Sequence, residues 1–264
     1  MKWNKLYEYP KTIRQTINDK RHYVIPGQQP LPSVTTILSS TESSEKREVL
    51  AKWKARVGEV EAERIRNTAA TRGTKMHSIL EAHILGEGVL DLTEAGAEAH
   101  RMANTIISKG MPELEEIWGL EATLYYPELY AGATDLVGVY QGRESIIDFK
   151  QTNKPKRDEW IGNYYMQLAA YATAHDYVYK TNIEQGVILM TTPDCFFQKF
   201  VVNGARFRQI KWEWLKKVGD FYKMREKSPR EYGNKKDNLG ASGGERVGGD
   251  HSSDSSKMGQ KNPK

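Results

Sequence analysis

An acid and a lysine separated by one residue are the most informative feature of the sequence. Asp148 and Lys150 lie in the stretch RESIIDFKQTNKPK, and residues i and i+2 of a strand share one face. Phe149 between them would point to the opposite face, into the core. Asp135 lies on the preceding predicted strand, so a hairpin can bring it close to Asp148. Two carboxylates beside a lysine predict a site for a hard divalent cation such as Mg²⁺, which prefers oxygen ligands.

The same D-x-K pattern also has a simpler interpretation. A lone Asp and Lys on an edge strand usually form a surface ion pair, which contributes little to stability. The pattern by itself therefore does not establish a catalytic site. If the site is catalytic, Lys150 could orient a water, deprotonate it, or neutralise charge on a phosphate.

Two pairs of residues at helical spacing strengthen the catalytic interpretation. His77 and Glu81 lie four residues apart in GTKMHSILEAHI, so they share a helical face, and His77 could give the metal a nitrogen ligand. Gln167 and Tyr171 form a second such pair in YYMQLAAYATA. Ordinary helix packing is the alternative for both pairs. Glu121, one predicted strand earlier than the first aspartate, is a further acid nearby that we do not assign to the metal.

Basic and aromatic residues follow the D-x-K pattern directly. The basic residues could hold a phosphate backbone, with a solvated charged loop as the alternative: Lys154, Lys156 and Arg157. The aromatic residues suit single strands, whose bases stack on rings, but core packing is an equal alternative: Trp160, Tyr164 and Tyr165.

The elements that must position these residues change their hydrophobic period along the chain. The section before Leu90 is predicted to be helical, with Ser33 as an N-cap, and further helices are predicted over 45–68, 71–85 and 94–109. Strands are predicted over 117–126, 132–140, 144–149, 186–192 and 196–202, and helices over 160–179 and 207–226. This order favours an α/β fold with a mixed central β-sheet flanked by helices and a helical N-terminal region.

A change in composition near Ser228 predicts the domain boundary. We predict a single domain over 1–227, mostly helical over 30–110, with the catalytic sheet core over 117–202 and a C-terminal helix over 207–227. Residues 228–264 are rich in Gly, Ser, Asn and charge, which predicts a disordered tail.

Composition and charge exclude several classes of protein. The 264 residues carry a net charge of +5, which hints at nucleic acid, but the tail accounts for +2 of it, so any phosphate-binding surface must be a local patch. The single cysteine, Cys195, excludes an internal disulfide and a four-cysteine iron–sulfur cluster. No apolar run is long enough to span a membrane. With no signal or transit pattern near Met1, we expect a cytoplasmic protein of a bacterium or a phage-infected cell.

Taken in order, the motifs resemble those of the RecB-like branch of the PD-(D/E)XK nucleases. The order is His, G-x-x-D, D-x-K and Q-x-x-x-Y, and D-x-K alone is unspecific whereas the full set is strong. The segments LPSVTTIL, AKW, RGTKMHSILE, YQGRESIIDFK and NKPK look closest to the mitochondrial genome maintenance exonuclease type and its phage relatives. The resemblance covers roughly residues 31–176.

This resemblance implies a set of site residues and a cofactor. It implies Mg²⁺ or Mn²⁺ held by His77, Asp135 and Asp148. The catalytic residues would be the two aspartates with Lys150. The residues expected to support the lysine or contact DNA are Gln167, Tyr171, Glu81, Lys154 and Lys156.

The function that the resemblance implies is a metal-dependent DNA exonuclease. Its substrate would be single-stranded or flapped DNA with a free end, in replication, recombination or degradation. The alternatives are an endonuclease, or a catalytically silent DNA-binding protein on the same fold, which the intact His77, Asp135, Asp148 and Lys150 set disfavours. The sequence leaves open the 5′ or 3′ polarity, DNA against RNA, one or two metals, the oligomeric state and any loading partner.

Overall fold

The elements of the fold alternate between strands and helices along the chain. The computed structural model describes residues 1–227, and the tail predicted over 228–264 lies outside the described residues. The strands are β1 (Lys2–Trp3), β2 (Ile13–Ile17), β3 (Lys20–Val24), β4 (Leu31–Pro32), β5 (Leu114–Tyr126), β6 (Tyr130–Tyr140), β7 (Arg143–Gln151), β8 (Gln185–Thr191) and β9 (Phe197–Asn203). The α-helices are α1 (Val34–Ser40), α2 (Ser44–Val57), α3 (Glu59–Leu85), α4 (Glu94–Lys109), α5 (Gly162–Tyr179) and α6 (Gly204–Lys227).

A six-stranded mixed sheet in the order β1-β5-β6-β7-β8-β9 forms the centre of the fold. Strands β5, β6 and β7 form an antiparallel meander, and α5 makes the crossover to β8, which pairs with β7 in parallel. The predicted α/β class with a mixed central sheet flanked by helices is therefore confirmed. Among residues 1–227, none of the helices combines the length and the apolar character needed to cross a bilayer.

The central strands bury both faces, one against each group of helices. Ile146 belongs to the core with α1, α5 and α6, whereas Ile147 belongs to the core with α3 and α4. Because successive residues of a strand point to opposite faces, Asp148 and Lys150 emerge on the α5 side. Phe149 packs into the core with α3 and α4, as the sequence predicted.

The helices before the sheet differ from the prediction in where they break. The two helices predicted over 45–68 and 71–85 are divided instead at Gly58, whose φ of 84° ends α2, and α3 continues through residues 68–73 without interruption. Gly73 lies inside α3, where a Cβ would meet Gln151 Cγ at an ordinary van der Waals distance of 3.5 Å, so this glycine neither breaks the helix nor is required by its packing on β7. The prediction of α4 and of Ser33 as an N-cap is confirmed, since Ser33 Oγ accepts from Thr36 N.

The prediction that the section before Leu90 is helical is wrong for the first 32 residues. Strands β2, β3 and β4 form a second, three-stranded antiparallel sheet. The turn between β2 and β3 is made by Asn18 and Asp19, whose φ values of 49° and 57° are both positive. Two such residues between IRQTI and KRHYV are a short-range hairpin signal that the sequence analysis passed over.

We expect acid to destabilise the fold through His175 on α5. This side chain is fully buried, with Tyr9 Oη and Thr181 Oγ1 near its two ring nitrogens. Burial lowers the pKa of His175 to about 4, whereas an unfolded histidine titrates near 6.5. Between these values the unfolded chain binds a proton that the folded chain does not, so stability falls as the pH drops, by on the order of 3 kcal/mol below pH 4.

The measurement is urea unfolding of the wild type and His175→Gln between pH 7.5 and pH 4.5. Glutamine retains hydrogen-bonding groups without titrating, so the variant should lose less stability over this range. Equal losses in the two proteins would contradict the role of His175.

Candidate active site

A cavity of about 410 Å³ lies where the meander meets α3, α5 and the N-terminal sheet. Helix α3 gives it His77 and Glu81, and α5 gives it Gln167 and Tyr171. The sheet contributes Asp135 and a second acid, described below. The fold thus brings residues separated by more than ninety positions in the chain around one opening.

The β6–β7 hairpin places the two predicted aspartates side by side. Its turn is made by Gln141 and Gly142 with φ values of 51° and 70°, the positive-φ geometry of a two-residue hairpin. Leu136 pairs with Ile147, and this register sets Asp135 opposite Asp148. The proximity predicted for the two acids is confirmed.

Asp135 is held by a backbone donor and by His77. Its Oδ2 accepts a 2.6 Å hydrogen bond from Phe149 N, and its Oδ1 lies 3.2 Å from His77 Nδ1. Burial opposes the charged imidazole, but the neighbouring carboxylate outweighs it and raises the pKa of His77. Burial also opposes the charged carboxylate, but His77 and then Lys150 outweigh it and lower the pKa of Asp135.

Glu121 joins His77 and Asp135 in a cluster that the sequence analysis did not assign. One donor atom from each of these three residues lies within 4.8 Å of the others. Leu120 pairs with Leu136 and Ala122 with Thr134, so Glu121 stands opposite Asp135 on the sheet.

The backbone at Glu121 explains why this acid was missed. Its φ of 48° is left-handed, which is rare for a non-glycine residue inside a strand and is characteristic of strained functional positions. A register shift between Ile117 and Gly119 lies just before it. No local sequence pattern marks such a backbone conformation.

The side chain of Glu121 is also electrostatically perturbed. Burial, followed by the charge of Asp135, raises the pKa of Glu121 to about 7.

Asp148 and Lys150 form a buried ion pair beside this cluster. Lys150 Nζ contacts Asp148 Oδ2, although the contact lacks the geometry of a hydrogen bond, and this oxygen has no other partner among the described residues. Burial raises the pKa of Asp148 to about 6, against the opposing charge of Lys150. Burial also works against the ammonium, but Asp148 and then Asp135 outweigh it and raise the pKa of Lys150. The ammonium lies 5.4 Å from the Tyr164 ring centroid.

Gln167 and Tyr171 interact as a helical pair next to β6. Gln167 Nε2 donates a 3.1 Å hydrogen bond to Tyr171 Oη. A Cβ on Gly132 would come within 2.7 Å of Tyr171 Cε1, so the glycine makes room for this ring. Gly132 therefore serves the close packing of α5 against β6.

The predicted basic residues lie in a neighbouring depression and not in the acidic cavity. Lys154 and Lys156 line a second cavity of about 360 Å³ together with Gln151 and Tyr164. Trp160 is 59% exposed, whereas the Tyr165 ring is buried and its hydroxyl donates to Asp158. Tyr165 therefore belongs to the core, and Trp160 remains available to a base. The roles assigned to these residues stay predictions.

Arg72 connects α3 to the end of β7, and the sequence analysis gave it no such role. Its side chain is 7% exposed, its Nε donates 2.9 Å to Gln151 Oε1, and its guanidinium contacts Asn153 and Glu98. A buried, fully engaged arginine of this kind fixes the helix that carries His77 against the strand that carries Lys150.

Comparison with known proteins gives three similar sequences, all named mitochondrial genome maintenance exonuclease 1. The chain is 30% identical to the Mus musculus protein over 176 residues, covering 62% of this chain and 50% of the relative. It is 30% identical to the Xenopus tropicalis protein over 177 residues (62% and 49%) and 27% identical to the Homo sapiens protein over 177 residues (62% and 50%). The match spans about half the length of these relatives, and it confirms the resemblance stated from the motifs. No protein-family model matches the chain.

Solved structures show weaker likeness. A proposed exonuclease from Eubacterium rectale has a TM-score of 0.42 and 10% identity, covering 59% of this chain and 68% of that one. The alkaline exonuclease of Laribacter hongkongensis has a TM-score of 0.28 and 14% identity, covering 59% of this chain and 84% of that one. Both TM-scores are too low to support a functional conclusion.

Proposed function

From its relationship to the mitochondrial genome maintenance exonucleases, we propose that this chain is a divalent-metal-dependent DNA exonuclease that acts on a free, single-stranded end. The convergence of His77, Glu121 and Asp135 beside the buried Asp148–Lys150 pair carries the proposal. An acid cluster with a lysine at its edge has the charges that phosphodiester hydrolysis needs.

The donor set fits Mg²⁺ or Mn²⁺. One imidazole nitrogen and two carboxylates within 4.8 Å of one another would hold the ion, and Asp148, whose Oδ2 contacts Lys150, is a further carboxylate beside the cluster. When bound, such an ion acts as a Lewis acid and lowers the pKa of water toward neutrality.

The protein's own groups divide the remaining work. Asp135 orients His77, and its hydrogen bond from Phe149 N ties that arrangement to β7. Lys150 is held as an ammonium by the carboxylates around it, so it donates hydrogen bonds and balances negative charge on the phosphate. An ammonium is not a base, which leaves orientation and charge balance as its tasks. The Gln167–Tyr171 pair supports the same wall of the cavity.

The proposed function is tested with linear and circular single-stranded DNA, each incubated with Mg²⁺, with Mn²⁺ and with EDTA. We expect linear strands to be degraded and circles to be spared, and only with metal present. A label at either end of the linear strand reports the polarity. Equal cutting of circles would establish an endonuclease instead, and binding without cleavage in any metal would establish a silent DNA-binding protein.

We expect Glu121→Gln to weaken Mn²⁺ binding by about 10- to 100-fold, because it removes a charged oxygen donor from the cluster. The change preserves the shape of the side chain, so the melting temperature should stay close to that of the wild type. Isothermal titration with Mn²⁺ in the absence of DNA measures the effect.

Glu81→Gln is the matched control for this variant. Glu81 lines the same cavity but does not belong to the three-residue cluster, so its variant should bind Mn²⁺ as the wild type does. If Glu121→Gln also binds Mn²⁺ normally, the cluster is not the metal site.

A further inference from the structure

Two arginines of the N-terminal sheet face the acidic cavity. Arg14 pairs with Tyr23 across the β2–β3 hairpin, and Arg21 pairs with Thr16. Because residues two apart on a strand share a face, both arginines lie on the face that carries Tyr23. Arg14, Arg21 and Tyr23 all line the cavity that holds the His77 cluster.

Among the described residues, neither guanidinium has a charged partner that accounts for its position. Within residues 1–227, Arg14 and Arg21 make no ion pair and no side-chain hydrogen bond, and both residues are exposed. The Arg14 guanidinium instead makes a cation–π contact, 6.0 Å from the Tyr23 ring centroid. Tyr23 is 4% exposed and therefore fixed in the core, so it is a firm platform for Arg14. Two unpaired guanidiniums at the mouth of an acidic cavity are suited to an anion that enters from solution.

We propose that Arg14 and Arg21 bind two phosphates of the DNA strand, about two nucleotides apart, beside the metal site. The inference rests on the proposed function and adds the surface that holds the substrate. Diagonal residues on one face of a hairpin lie about 7–8 Å apart. That spacing equals about two steps of a stacked strand at about 3.4 Å per nucleotide, so one strand can contact both arginines.

Further basic residues line two cavities next to the acidic one. Arg14 also lines an adjoining cavity of about 410 Å³, where Lys11 adds another positive charge. The depression with Lys154 and Lys156 is lined by Ala69 of α3 and by Tyr164 of α5.

The lining residues show where the lysine-containing depression lies relative to the acidic cavity. Ala69 precedes His77 on α3, and Tyr164 precedes Gln167 on α5, so the depression lies toward the N-terminal ends of both helices. Arginines therefore line the acidic cavity itself, and lysines line the depression next to it. This is the local patch that a net charge of only +5 requires.

The test measures DNA affinity by fluorescence anisotropy in EDTA, which prevents metal-dependent cleavage, over a range of salt concentrations. Arg14→Gln and Arg21→Gln should each weaken binding of single-stranded DNA about tenfold at low salt. Each should also reduce the slope of log Kd against log salt by about 0.7, the value for one phosphate of a single strand. Arg14→Lys and Arg21→Lys retain the charge and should restore the slope.

Arg143→Gln is the matched control. Arg143 is an exposed arginine at the start of β7, at the opposite end of the strand from Lys150, and it lines neither cavity. Its variant removes the same charge and should leave affinity and salt slope unchanged.

Oligonucleotides with one uncharged phosphate analogue show which phosphates the two arginines contact. Oligonucleotides with one methylphosphonate at each of the terminal positions should show one or two positions that weaken binding to the wild type. At those positions the Arg14→Gln/Arg21→Gln variant should lose no further affinity. If every position costs the variant as much as the wild type, or if the variant matches Arg143→Gln, the inference is wrong while the nuclease function stands. A wild type that neither binds nor cuts DNA would overturn both.

Discussion

Asp135→Asn should abolish DNA cleavage, with a loss of at least about 10³-fold in kcat, because Asp135 is both a donor in the His77–Glu121 cluster and the group that orients His77. Asparagine has nearly the same shape, and its amide oxygen can still accept from Phe149 N. The protein should therefore fold normally. Because His77 and Lys150 outweigh the burial of this carboxylate, removing its charge should lower the melting temperature, so cleavage is compared at a temperature where the variant is folded.

Three measurements on this variant decide the matter. Steady-state cleavage gives kcat, titration gives the Mn²⁺ affinity, and thermal unfolding gives the stability. Asp220→Asn, which changes an exposed aspartate on α6, should leave all three unchanged. If the Asp135→Asn protein is stable and cleaves DNA normally, the active site does not lie in this cavity.

Lys150→Met should lower kcat by about 10²- to 10³-fold with little change in KM, the pattern of an interaction made mainly in the transition state. The ammonium is held between Asp148 and the Tyr164 ring, close to the acidic cluster, and methionine keeps most of its apolar length. The variant should still bind Mn²⁺ and DNA ends.

Lys154→Met is the control for this second prediction. Lys154 lines the neighbouring depression, so its loss should raise KM and leave kcat nearly unchanged.

Assays at pH 7.5 and pH 9 separate two roles for Lys150. Burial, followed by the charge of Asp135, raises the pKa of Asp148 against the opposing charge of Lys150, so without Lys150 that carboxylate is harder to ionise. If kcat of Lys150→Met recovers at high pH, the lysine serves to keep Asp148 charged and does not act on the phosphate.

Elements with local, periodic signals can be predicted from the amino-acid sequence of this protein. The alternation around IIDFK and the QG turn predict the β6–β7 hairpin, and with it the pairing of Asp135 and Asp148. The i, i+4 spacing predicts the Gln167–Tyr171 contact. These features depend on residues within one turn of helix or one hairpin, where side-chain direction follows from backbone geometry alone.

The sequence contains a turn signal for the N-terminal sheet, but its strands were not predicted. Asn18 and Asp19 are turn residues between two alternating segments, yet the strands are short and mostly exposed, so they lack the apolar pattern on which a prediction depends. Gly73 was misread for the opposite reason. A glycine weakens a helix, but α3 is stabilised there by packing against Gln151 and by the contacts of Arg72, which no local pattern contains.

Which residues share the cavity depends on how α3 packs on the sheet. His77 meets Glu121 and Asp135 because α3 packs against a meander that lies much later in the chain, and Glu121 joins them through a left-handed φ of 48°. Arg14 and Arg21 reach the same opening from the other sheet. Such contacts follow from how whole elements pack, and packing depends on the summed burial of both cores rather than on the spacing of any few residues.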